Sequence, residues 1–86
     1  MERFTYTIRA EFAMHFGPAG RLARAAACYP DTKATVALGD RIEDISRPLR
    51  VATMGMRQGD RVVVTTEGPS ELELLDVLYQ YFEETL

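Results

Sequence analysis

The sequence predicts an α+β fold in two layers: a four-stranded antiparallel sheet with three helices on one face, in the order β-α-β-β-α-β-α. Three observations support this. Short segments alternate apolar and polar residues at the period of a strand, other segments repeat apolar residues every three or four positions, and Gly, Pro or Ser separates them. At 86 residues and 47% apolar composition the chain has material for one small core and is expected to form one domain over residues 1–86.

The first strand is expected from Phe4 to Ala10, where Phe4, Tyr6 and Ile8 alternate with Thr5, Thr7 and Arg9. A short loop, Glu11 to Phe16, leads to Pro18, which suits the first position of a helix because its missing N–H costs nothing there. That helix runs to about Tyr29. Its stripe of Ala19, Leu22, Ala23 and Ala26 is made of small residues that allow close packing on a sheet. Pro30-Asp31 ends it.

Lys33 to Leu38 and Arg41 to Ile45 then form a hairpin about Gly39-Asp40. Ser46 is positioned to cap a short helix containing Pro48, Leu49, Val51, Ala52 and Met54, ended by Gly55 or Gly59. Arg61 to Glu67, with Val62, Val63 and Val64, has the strongest β-propensity and is expected to be a central strand. After Gly68-Pro69, Ser70-Glu71-Leu72-Glu73 matches a capping box, and Leu74, Leu75, Leu78 and Phe82 supply the apolar face of the last helix.

The net charge of −3 gives no basic field for nucleic acid. The charge is segregated, however: seven arginines lie between Arg21 and Arg61, and Glu67, Glu71, Glu73, Asp76, Glu83 and Glu84 crowd the last twenty residues. Such a basic region suits an acidic protein or an anion, although segregated charge is also compatible with plain solvated surface. A single cysteine, Cys28, forms no internal disulfide and is expected in or near the core, as in a reducing cytosol. The start Met1-Glu2-Arg3-Phe4 has no signal-peptide pattern, and no apolar run approaches the roughly 20 residues of a membrane span. A cytoplasmic, soluble monomer is expected, without cofactor or metal, since zinc, calcium and nucleotide motifs are absent.

The most informative chemical feature is the only histidine, His15, just before the helix start in Ala13-Met14-His15-Phe16-Gly17-Pro18-Ala19-Gly20. Unpartnered N–H groups and the macrodipole make a helix start favourable for an anion. No Ser, Thr, Asp or Asn immediately precedes Pro18 to cap it, so a phosphate is expected to have room there. A neutral imidazole is a nucleophile for in-line phosphoryl transfer, which rests on positioning and charge stabilisation. Phe12, Met14 and Phe16 around it are candidates for a docking surface or for buried loop anchors.

This element order, with a histidine in the loop before the first helix, resembles the histidine-containing phosphocarrier HPr of the bacterial phosphoenolpyruvate:sugar phosphotransferase system. The resemblance spans essentially the whole chain and rests on His15, Pro18 and the small pair Ala19-Gly20. The Gly39 hairpin, Thr53-Met54-Gly55-Met56-Arg57-Gln58-Gly59-Asp60 and the Glu67-Gly68 exit extend it. It implies an open-faced sandwich and a phosphoryl group received on His15 from an enzyme I-like donor and passed to an enzyme IIA-like acceptor. It also implies a transient phosphohistidine rather than a turnover enzyme. The Phe16 and Gly17 N–H groups would hold the phosphate. Met14, Phe16, Arg21, Arg47 and Leu49 would serve docking, and either Ser46 or Arg47 falls on the family's regulatory serine position.

The motif departs from the family at two places: Phe16 replaces a small residue, and Gly17 replaces the arginine that pairs with the phosphoryl group. Arg9, Arg21, Arg24 and Arg57 are available as replacements, Arg24 and Arg57 being the phosphate-binding candidates. Two other functions stay open on the residues. One is an HPr-like regulatory binding module with weak or no transfer; the other is a ferredoxin-like small-molecule domain, which would place the first and third strands together at the centre of the sheet.

Overall fold

The computed structural model describes residues 1–11 and 14–86, so Phe12 and Ala13 of the histidine loop lie outside the described residues. Its elements follow the expected order: β1 (Glu2–Thr7), α1 (Phe16–Ala27), β2 (Lys33–Leu38), β3 (Arg41–Asp44), α2 (Pro48–Ala52), β4 (Arg61–Glu67) and α3 (Glu71–Thr85). The four strands form one sheet in the order β1-β4-β2-β3, and every pairing is antiparallel. With β1 and β3 on opposite edges, the ferredoxin-like alternative is excluded.

The central position of β4 follows from its alternation. Val62, Val64 and Thr66 are fully buried under the helices, while Val63 and Thr65 lie half-buried on the open face. Val64 pairs with Phe4 on one side and Val36 on the other, which joins three strands in one apolar row. Leu74, Leu78 and Phe82 of α3 and Leu22 of α1 close the core from above. Phe82 receives Phe4 and Tyr6 edge-on, with ring centroids 5.5 and 5.4 Å away. The β2–β3 turn has its positive φ of 60° at Gly39 and none at Asp40, as a two-residue turn with glycine in its first central position requires.

Four local expectations are corrected. The β1 ladder stops at Thr7 because Ile8 exchanges backbone bonds with the turn before β4, donating to Asp60 O and accepting from Gly59 N. Cys28 is exposed: it caps α1 two residues beyond buried Ala26, on the far side of the helix axis. Ser46 is no helix cap, since its N–H and hydroxyl both donate to Asp44 Oδ1 at 2.9 and 2.7 Å. The short helix α2 begins one residue later, with Arg47 at its N-cap position and Pro48 at its first position, and ends at Ala52 rather than at a glycine.

The capping box at Ser70 does not form either. Gly68 packs so closely on the start of β2 that an added Cβ would lie 2.6 Å from the Asp31 carbonyl oxygen. That approach delivers the Ser70 N–H to Thr32 Oγ1 and its hydroxyl to Asp31 Oδ2. Glu71 takes over locally, its Oε1 accepting from the Gly68 N–H at 3.1 Å. Tertiary partners have displaced the local cap.

Candidate functional site at the start of helix α1

His15 is exposed and extended, with φ −133° and ψ −177°, and stands at the N-cap of α1. Its carbonyl accepts the Ala19 N–H at 3.1 Å, and its ring folds over the helix start so that Nδ1 accepts the Gly17 N–H at 3.2 Å. In the state that makes this bond the ring is neutral, its lone pair on Nδ1 and its proton on Nε2. The expectation of an uncapped helix beginning at Pro18 is therefore corrected. The helix begins at Phe16, Pro18 is its third residue, and the histidine itself is the cap.

A Cβ on Gly17 would stand 3.0 Å from His15 Cε1 and 3.3 Å from Nδ1, a tight contact that the exposed ring relieves by shifting a few tenths of an ångström. Within the first turn Gly17 gives its N–H to the ring, Pro18 has none, and the Phe16 N–H has no partner among the described residues. Arg21 and Arg24, four and seven residues beyond Gly17, lie on the same exposed face of the helix.

Phe16 is 55% exposed, and its ring rests beside Gly20. Together with Arg47, Pro48, Leu49 and Arg50 it lines a shallow cavity of about 490 Å³ at the junction of α1 and α2. Leu49, at 67% exposed, is the most open apolar residue of this shelf. The shelf thus unites Phe16, Arg47 and Leu49 and adds Pro48 and Arg50. Arg50 was recognisable from its position three residues after Arg47 on a helix.

Helix α2 is fixed by a network that periodicity does not reveal. Arg41 donates to the carbonyls of Arg50 and Thr53 at the end of α2, and its Nε to Glu43 Oε2 at 2.9 Å. Arg50 Nε donates to the other Glu43 oxygen at 3.2 Å. The Arg41 hydrogen bond, followed by that of Arg50, holds the Glu43 carboxyl below the usual carboxylate range.

Met14 does not belong to the docking surface. It is 5% exposed and sits in the core, drawn inward as its N–H donates to Met56 O at 3.0 Å. Arg57 follows Met56 in an exposed turn, with its N–H on Asp60 Oδ2. Arg9 is engaged elsewhere, with Tyr6 and Glu83, and makes no hydrogen bond to His15. Ser46 and Arg47 are both exposed, side by side before α2.

An exposed imidazole at the amino end of a helix, beside an apolar shelf rimmed with arginines on an open-faced sandwich, defines a small single-histidine α+β domain. The sequence profile described as the PTS HPr component phosphorylation site matches residues 2–84, and the chain belongs to the HPr family, the phosphocarrier component of the phosphotransferase system. Among solved structures it is similar to the histidine-containing phosphocarrier protein of Mycoplasma, with TM-score 0.91 and 18% identity over 98% of this chain and 94% of that one. HPr-C-His from Thermoanaerobacter tengcongensis aligns with TM-score 0.78 and 22% identity over 100% of both chains. Phosphocarrier protein HPr from Bacillus anthracis str. Ames aligns with TM-score 0.82 and 15% identity over 93% of this chain and 94% of that one. At these identities the likeness is one of fold. No curated protein matches the chain by sequence. Among the described residues no helix is long and apolar enough to cross a membrane.

Proposed function

We propose that the chain, acting as a monomeric cytoplasmic carrier over residues 1–86, receives a phosphoryl group on His15 Nδ1 from the phosphohistidine of an enzyme I-like donor and passes it to an enzyme IIA-like acceptor. The observation that carries this reading is the exposed ring with its Nδ1 lone pair held at the amino end of α1. For attack the ring turns away from Gly17 and Nδ1 approaches phosphorus in line with the donor N–P bond. A new N–P bond forms on His15 as the donor bond breaks, and its electron pair returns to the donor imidazole. The proton on His15 Nε2 passes to solvent while the donor ring takes one up, so charge balances. The N–H groups of Gly17, released by the turning ring, and of Phe16 receive phosphoryl oxygens, and the helix dipole favours their negative charge.

Phe16, Arg47 and Leu49 form the docking shelf in this reading, its arginines facing acidic partners. The test is incubation with phosphoenolpyruvate and a purified enzyme I. Wild type gains one acid-labile phosphoryl group, and His15→Ala gains none.

A second reading is an HPr-like binding module with little transfer, favoured by the missing arginine at Gly17 and by the ring's hold on the helix amide. Gly17→Arg separates the two: a large rise in phosphorylation rate marks the natural site as degenerate. An unchanged rate means that another arginine already serves.

A further inference from the structure

We infer that Arg21 supplies the guanidinium that the phosphoryl group on His15 requires, the charge having moved one helical turn from position 17; this rests on the transfer reading above. Gly17 brings no side chain to the ring, whose Cε1 lies 3.0 Å from the ideal Cβ position of residue 17, so a guanidinium for this site must come from another residue. The next residue on that face is Arg21. Four residues along an α-helix place its Cα about 6 Å from that of Gly17, and helical side chains lean toward the amino end. An arginine at 21 is therefore within reach of the ring and the Gly17 amide.

The lane between them is open. Gly17 has no side chain to obstruct it, and Phe16 turns its ring aside onto Gly20, whose ideal Cβ position lies 3.8 Å from Phe16 Cε2. Arg21 is exposed and makes no hydrogen bond or ion pair among the described residues, so its five donors are uncommitted. Arg24 begins about 10 Å from Gly17 along the axis, one turn too far to share the same oxygens. Placing the cation at 21 lets one site keep two states: a neutral capping imidazole when empty, and a bidentate arginine clamp on the phosphoryl oxygens when loaded.

The experiment uses potassium phosphoramidate, a small donor that needs no docking surface. Its P–N bond breaks, the nitrogen leaves as ammonia after taking up protons, and the new N–P bond forms on His15. Initial rates are read by ³¹P NMR for wild type, Arg21→Ala, Arg21→Lys, Arg57→Ala and the open-face control Arg3→Ala, with helicity checked by circular dichroism. Arg21→Ala should slow phosphorylation about 10- to 100-fold, with Lys restoring part of it and Arg3→Ala leaving it unchanged. An unchanged Arg21→Ala rate, or a loss in Arg57→Ala but not in Arg21→Ala, overturns the inference. Absence of label on wild-type His15, both from phosphoramidate and from phosphoenolpyruvate with enzyme I, overturns the transfer reading itself.

Discussion

The ring of His15 lies over Gly17, with Nδ1 3.2 Å from the Gly17 amide nitrogen, so the candidate phosphoryl acceptor is also the cap of the helix that would bind its phosphate. Occupying Nδ1 with phosphorus removes the acceptor from that amide and supplies phosphoryl oxygens in its place. Capping and loading are alternative uses of one N–H.

A structural consequence is that His15→Ala should destabilise the fold by about 1 kcal/mol, the usual worth of a side-chain N-cap. His15→Ser should recover most of this, because a serine hydroxyl accepts from the same amides. Urea unfolding of the three proteins measures it, and equal midpoints for wild type and His15→Ala would show that the ring contributes no cap.

The Glu43 carboxyl should make the fold acid-sensitive. Its folded-state pKa lies below the ordinary 4.5 through Arg41 and then Arg50, so its stabilisation is present above that ordinary value and is lost as pH falls through the lowered one. Melting temperatures from pH 7 to pH 3 should drop less steeply for Glu43→Gln than for wild type. Parallel curves would mean that the Glu43 carboxylate does not set the acid response.

The approach of Gly68 to Asp31 makes position 68 intolerant of any side chain. With φ at 146° and an added Cβ 2.6 Å from a backbone oxygen, Gly68→Ala should cost about 3 kcal/mol. Thermal unfolding reports it, and a loss within about 0.5 kcal/mol, ordinary for a surface substitution, would contradict the contact.

Docking and chemistry should separate on the shelf between α1 and α2. Leu49→Asp places a charge on its most open apolar residue and should slow phosphorylation by a protein donor about tenfold or more while leaving the phosphoramidate rate unchanged. Slowing with both donors would mean that Leu49 influences His15 itself.

Much of the architecture was legible because its determinants are local. The alternation of Phe4 with Tyr6 and of Val62 with Val64, and the spacing of Leu74, Leu78 and Phe82, each mark the face that is buried. Serine roles were not legible. Ser46 and Ser70 both precede helices, yet their hydroxyls are taken by Asp44 and Asp31, and the second of these acceptors comes from a distant part of the chain. At the site, His15 was identifiable by its place before the helix, whereas its capping role was hidden because Pro18 marks a later helix start. Met14 carried no signal of burial beyond its residue type; its inward turn depends on a backbone bond to Met56.

Whether His15 carries phosphorus is read by mass spectrometry of the protein incubated with phosphoenolpyruvate and enzyme I, with a control HPr alongside. Wild type should gain one phosphoryl group, stable in alkali and labile in acid, located on His15 and absent from His15→Ala. No gain on His15 under conditions that fully label the control HPr would contradict it.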